Sequence, residues 1–466
     1  MFFSLDYKTL KYTITTLLAI SLSACVSMLD SNGLPVSPIG DVANKAQDSV
    51  VDELETRLTD CRQSGIKDKI STNFACVSLL YGTNRSPKKS GDNFYGKAPL
   101  PLGSETVLGE VVVSIPSNHQ VGQDIKGANR PVNNSEIKYR KKVYAIWGGK
   151  TGPRELTEGQ FEKFVKHKID SLSDVDNRAL VFIHGFNVSF EYAAYNTAQL
   201  KTDLDIKGPV FFFSWPSNGN PKQYLSDQQD ADLSAENLAK FLRLVKKSVG
   251  EDTSLNIVTH SMGHRVVGQA FNIIRSENSI TEPLFDTGVF ASADLDEDLF
   301  ERWIVGRSGS PSLVRQPILY VTDDDKALGL SRKILFPKCD DSDQKYRVGL
   351  VTKKDCESGK RRVSVFSTPY ETIDLSNEPG EKFLKIFNKN HNKYTKSPKI
   401  ICHMSRLFDG GKVVQLGQYD IIQRIQNDAM NYWITDPKRQ VNWKTDCFKD
   451  GPNKSNDAVL VSYLNK

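Results

Sequence analysis

Several signatures are missing from this 466-residue chain. No two cysteines stand as a CxxC pair or at zinc-ligand spacing, which argues against a metal site. Nothing calls for an organic cofactor either, so none is expected. The chain carries no internal repeat and no block of like charges, and its net charge is only +5. That leaves nucleic-acid binding without electrostatic support. The most apolar stretch, TITTLLAISLSAC, is too short to span a bilayer. What remains is an ordinary globular composition, 39% apolar and 25% charged, long enough for one large domain or two average ones.

That apolar stretch still carries information. Lys8 and Lys11 precede it, and it ends in Leu22-Ser23-Ala24-Cys25. A basic start, a short apolar core and small residues before a cysteine resemble the signal and lipobox of bacterial lipoproteins. The resemblance implies a signal peptide over residues 1–24 and a diacylated Cys25. It also implies a chain held to the cell envelope by its lipids, at about 0.8 kcal/mol per buried CH2. Val26, not aspartate, follows the cysteine, and the same resemblance then implies the outer membrane, facing periplasm or surface. Residues 25–50, rich in Ser, Pro, Gly and Asp, read as a flexible tether. Export favours disulfides. Of seven cysteines, six remain beside Cys25. Pairing near neighbours gives Cys61–Cys76 and Cys339–Cys356, which leaves Cys402 with Cys447, although six cysteines allow about 15 pairings.

Residues 51–150 read as a strand-rich N-terminal extension, with strands expected at 107–116 and 139–148. From about 155 the pattern changes. Helical spacing in LTEGQFEKFVKHKIDSL gives way to the short apolar run ALVFIHGF. Helices and buried strands then alternate through PVFFFSWP, SLNIVTHS, TGVFASADLD and PILYVTDDDKAL. This is the signature of a doubly wound α/β fold, a mostly parallel sheet covered on both faces. We place that domain at 151–400, with an insertion near 336–362 and a C-terminal extension at 401–466. In such sheets ligands bind outside the carboxyl ends of the strands.

One strand end carries chemistry. Thr259-His260-Ser261-Met262-Gly263 joins a buried strand to a helix. A serine on so tight a turn is lifted into the open, beside the first free amides of the helix. The pattern matches the nucleophile elbow G-x-S-x-G with threonine in its first place. A helix-capping serine is the bland alternative, and the strand before and helix after favour the nucleophile. His184-Gly185-Phe186 ends an earlier strand, where a loop could lend a second amide. The oxyanion donors would be the N–H groups of Phe186 and Met262. His184, Gly185, Trp215 and His260 are candidates to line the substrate cleft, although His184 precedes the serine and reads as structural rather than as the base.

Taken in order, IHGFNVSFEYAAYNTAQL, FFSWPSNGN, VTHSMGHRVV, YVTDDDKALGLS and YETIDLS resemble a bacterial α/β-hydrolase family of unknown function. The resemblance runs over roughly residues 75–400. It implies an α/β-hydrolase fold and a serine esterase or lipase-like activity. It places the triad acid on the aspartate preceding a basic residue and Ala-Leu, here Asp325, with Asp324 and Asp294 as alternatives. It places the base in a loop after the TIDLS-like strand. The family pattern is like G-H-S-Y with Ser-Pro after it; here Asn390-His391-Asn392-Lys393-Tyr394 precedes Ser397-Pro398, so the glycine is missing. His391 is the assignment and His403 the alternative. The expectation is a membrane-anchored serine hydrolase cleaving small or lipid-like esters. A non-catalytic binding lipoprotein and an acyltransferase are the competing readings. Sequence leaves the oligomeric state open.

Overall fold

The computed structural model describes residues 74–88, 94–116, 119–122, 153–172, 177–218, 223–277, 282–306, 310–335, 346–352, 362–367, 369–379, 390–411 and 431–436, with a few positions besides. The chain divides into two units, residues 1–54 and 55–466. In the first, only a short antiparallel pair is described, β1 (Met28–Leu29) with β2 (Pro35–Val36). This pair falls within the expected tether; the rest of the tether, the expected strand at 139–148 and Cys25 lie outside the described residues, as do Cys339 and Cys356.

The second unit is built on one 11-stranded sheet. Its strands are β3 (Phe74–Thr83), β6 (Val107–Pro116), β7 (Arg154–Leu156), β8 (Arg178–Ile183), β9 (Val210–Ser214) and β10 (Ser254–His260). β11 (Phe285–Ala291), β12 (Val314–Val321), β13 (Glu371–Asp374), β14 (Ile422–Arg424) and β15 (Tyr432–Thr435) complete it. The order is β14-β15-β13-β12-β11-β10-β8-β9-β3-β6-β7. The run from β15 to β3 is parallel throughout, and antiparallel strands close both edges. A separate hairpin pairs β4 (Arg85–Pro87) with β5 (Tyr95–Pro99).

Helices cover both faces, and β9 shows why its sequence is almost wholly apolar. Phe211 and Phe213 point one way, to the rings of Phe161 on α1 (Glu158–Asp170) and Phe241 on α4 (Ala235–Val249). Phe212 points the other way, to Phe190 at the start of α2 (Phe190–Asp203). Successive strand residues alternate faces, so a strand buried on both sides needs apolar residues at every position. α3 (Tyr224–Leu233) and α5 (Gly263–Ser276) follow in the chain. Among the described residues, further helices are α6 (Glu297–Phe300), continued by a π-helical turn (Glu301–Val305), α7 (Lys326–Leu335), α8 (Lys393–Lys396) and α9 (Pro398–Phe408). Among the described residues no helix is long and apolar enough to cross a membrane.

Both expected extensions contribute strands to the sheet. Within residues 51–150, β3 lies in parallel register beside β9 and carries β6 on its other side. Within residues 401–466, β15 extends the parallel run beyond β13. Burial drives both: an unpaired strand edge would leave its N–H and C=O groups without partners. Two disulfides fasten these parts, Cys61–Cys76 at the start of β3 and Cys402–Cys447 on α9.

Candidate active site

Ser261 stands between β10 and α5 with φ +54°. An L-residue enters this left-handed region only when its surroundings hold it there. Here the Ser261 carbonyl accepts from the backbone amides of His264 and Asp294 at 3.2 and 3.3 Å, and from His264 Nδ1 at 2.7 Å. The second elbow glycine is a packing requirement: a Cβ on Gly263 would sit 2.5 Å from the His184 carbonyl oxygen. Gly185 is equally constrained, since its Cβ would lie 2.6 Å from Ser261 Cβ and 3.0 Å from the His260 carbonyl oxygen. Thr259, in the elbow's first place, is an ordinary buried strand residue paired with Ile183 and Phe290.

Phe186 and Asn187 form the turn beyond β8, and Asn187 is a second left-handed residue, at φ +61°. The Asn187 amide donates to Ser217 Oγ at 2.8 Å, and Ser217 Oγ donates to the buried Asp227 at 2.6 Å. Among the described residues, the amides of Phe186 and Met262 have no acceptor. Met262 follows Ser261 directly, and Phe186 follows Gly185, which packs on Ser261 Cβ, so both amides are candidates for an oxyanion site. Phe186 is half-buried, its ring edge-on to Tyr224 at 5.5 Å.

Asp325 begins α7 and divides its two oxygens between two tasks. Oδ1 accepts the amides of Ala327 and Leu328, each at 3.0 Å, an N-cap. Oδ2 accepts from His391 Nδ1 at 2.7 Å. Because a carboxylate only accepts, Nδ1 of His391 is the donor in this bond. The His391 ring lies 4.6 Å from that of His260, the neighbour of Ser261. Two donors hold the His391 carbonyl, His260 Nε2 at 3.2 Å and Ser292 Oγ at 3.1 Å. The missing glycine before the histidine finds its explanation here. Asn390 adopts φ +66°, a conformation that asparagine tolerates better than most residues after glycine. Its side-chain amide donates to Asp324 Oδ2 at 2.8 Å. Four of the five non-glycine residues described with positive φ, Asn187, Ser261, Ser292 and Asn390, thus gather at this end of the sheet.

The alternatives fall elsewhere. Asp324 pairs with Asn390 and Lys326 and so steadies the histidine loop. Asp294 is buried in its own network, accepting from Tyr224 and Ser331 and paired with Arg347. His403 is buried on α9 against Tyr320, and burial pushes it down to about 3. His184 and Trp215, the expected cleft candidates, are both wholly buried, ring stacked on ring, 5.2 Å apart. The Trp215 indole donates to the His184 carbonyl at 2.8 Å, so the pair shapes the Gly185 turn from beneath. Burial holds His184 at about 3, and holds His260 well below the usual histidine range, with the neighbouring His391 adding to the shift. Gly185 and His260 do lie against the serine.

Sequence reading passed over Ser292, His264, Asp227 and Arg85. Ser292 directly follows a recognised strand, β11, and that position was its one available signal. The others are polar residues whose partners come from distant segments. Arg347, from the expected insertion, is buried against Asp294, and the neighbouring Gly349 backbone bonds to Ala293 and Thr322. Part of that insertion therefore packs on the segments that follow β11 and β12.

A mostly parallel, doubly covered sheet with a serine on a strained strand-to-helix turn defines an alpha/beta hydrolase fold. A family model described as "Alpha/beta hydrolase of unknown function (DUF900)" matches residues 158–410. That is more than half of the chain, and the chain belongs to this family. Among curated proteins none matches it.

Proposed function

We propose that this chain is a serine hydrolase of carboxylic esters, working through Ser261, His391 and Asp325. The observation that carries the reading is the Asp325–His391 hydrogen bond of 2.7 Å, set beside the left-handed Ser261. In this reading His391 Nε2 takes the Ser261 proton as Oγ attacks the ester carbonyl carbon. The oxygen that becomes negative is received by the amides of Phe186 and Met262. His391 then gives its proton to the departing alcohol, leaving an acyl-serine. Water, deprotonated by His391, attacks that carbonyl, the acid leaves, and the proton returns to Ser261. Asp325 keeps the imidazole in the required tautomer and stabilises its transient charge.

The lipobox-like Leu22-Ser23-Ala24-Cys25 adds the second part of the proposal. Cys25 carries lipid and holds the hydrolase to the bacterial envelope, at the outer membrane, within reach of small or lipid-like esters. The catalytic part is tested with p-nitrophenyl esters under pre-steady-state conditions. One equivalent of nitrophenol per enzyme in the burst, absent in Ser261→Ala, is the expected result. A folded wild type that hydrolyses no ester in a chain-length series would defeat the reading. Lipidation is tested by incorporation of an alkyne-bearing fatty acid, expected in the wild type and lost in Cys25→Ala.

A further inference from the structure

The segment that ends β3 reads Thr83-Asn84-Arg85, well before the residues matched by the family model. All three side chains are buried, and all three reach across to the hydrolase core. Thr83 Oγ1 donates to the Ser214 carbonyl at 2.6 Å, and Asn84 Nδ2 to Ser234 Oγ at 2.9 Å. Arg85 does most. Its Nε donates to Ser214 Oγ at 2.8 Å, its Nη2 to the Val188 carbonyl at 2.7 Å, and its Nη1 to the carbonyls of Gly96 and Ser217 at 3.1 and 3.4 Å.

Val188 is two residues beyond Phe186, and Ser217 is the residue that receives the Asn187 amide. The two loops that shape the oxyanion turn are therefore held from one guanidinium. Asp227 holds Ser217 from the other side and contributes the opposite charge. A buried arginine is costly unless each donor is paired. Its planar fork suits several acceptors in fixed directions, which a lysine ammonium does not match. The β4–β5 hairpin adds a further hold: the Phe94 amide donates to Glu191 on α2 at 3.1 Å, and the Tyr95 ring lies 4.6 Å from that of Phe190.

We propose that Arg85 is a positioning residue that fixes the Phe186 amide of the oxyanion turn, so that the N-terminal hairpin completes the active site. This rests on the serine-hydrolase reading for its catalytic consequence, but not for the brace itself. A misplacement of about 1 Å in a reacting group lowers rates by about 100-fold.

The test compares wild type with Arg85→Lys and Ser217→Ala, each checked for folding by circular dichroism. Ser217→Ala removes one link of the same brace should the buried arginine prove essential for folding. Two readouts are taken. Hydrogen exchange of the 184–190 amides reports the brace whether or not the protein is active. Steady-state hydrolysis of a p-nitrophenyl ester, with inhibition by phenylboronic acid, reports the oxyanion site. The expected result is faster exchange of the Asn187 amide, with kcat lower by about 10- to 100-fold and KM within about twofold. Boronate inhibition should weaken by a similar factor. Folded variants with wild-type exchange and wild-type kcat would overturn the proposal. If the wild type hydrolyses no ester, the catalytic reading falls separately, and unchanged exchange in the variants would then overturn the brace on its own.

Discussion

Asp325 satisfies two readings of one side chain, helix cap and histidine partner, because it gives one oxygen to each. This makes the two roles separable. Asparagine caps helices about as well as aspartate, but it does not hold the imidazole in the same tautomer. Asp325→Asn should therefore lower ester hydrolysis by about 1,000- to 10,000-fold while the melting temperature changes by only a few degrees. A loss of both together would mean that the cap dominates. The Ser261 turn and the Asp325–His391 contact were legible because each residue stands at a recognisable place in chain order. The imperfect histidine motif was legible only in part: composition shows that glycine is absent, and only the backbone shows that Asn390 takes the glycine-like conformation. Arg85, Asp227 and His264 were not legible. Each is defined by acceptors that the fold brings from other segments, and a lone buried polar residue leaves no periodic trace.

At the scale of elements, the central strands were legible because burial on both faces forces continuous apolar runs. α4 and α5 were legible because each carries one apolar face. α3 was missed for a physical reason. Its YLSDQQDADL sequence buries Tyr224, Asp227 and Ala231, a face that is partly polar and shows no apolar stripe. β15, four residues of YWIT, is too short to distinguish from a buried loop. β3 was not separated from the extension around it, because membership of a sheet is settled by its partner β9, about 130 residues later. The Cys61–Cys76 bridge pins the residues before β3 across a separation of 15 residues. A loop of that length stabilises by about 3 kcal/mol in the chain-entropy account. The double variant Cys61→Ser/Cys76→Ser should lose about that much in urea unfolding, with ester hydrolysis retained at 25 °C. Stability equal to wild type would show that the bridge fastens a segment already held by packing.

At the scale of the whole molecule, several histidines are kept neutral inside the fold. His184, His264 and His403 are each pushed down to about 3, chiefly by burial, and His260 is lowered too. In the unfolded chain these groups take up protons near pH 6.5. The unfolded state then binds more protons than the folded one between pH 6.5 and about 3, so folding stability is full above that window and falls as pH drops through it. Three such groups give a slope of up to about 4 kcal/mol per pH unit. A melting temperature that declines steeply between pH 6.5 and 4.5 is the expected outcome, checked by differential scanning calorimetry. A flat profile would mean that the imidazoles are protonated in the folded state.

All of this depends on Ser261 being an activated nucleophile, and the most direct measurement is covalent. The folded protein is treated with a fluorophosphonate, and the adduct is located by peptide mass spectrometry in wild type, Ser261→Ala and His391→Ala. An adduct on Ser261 in the wild type, absent from Ser261→Ala and strongly reduced in His391→Ala, is the result required of a working triad. A folded, unlabelled wild type would contradict it, and an adduct formed equally well without the His391 imidazole would remove His391 from the role of base.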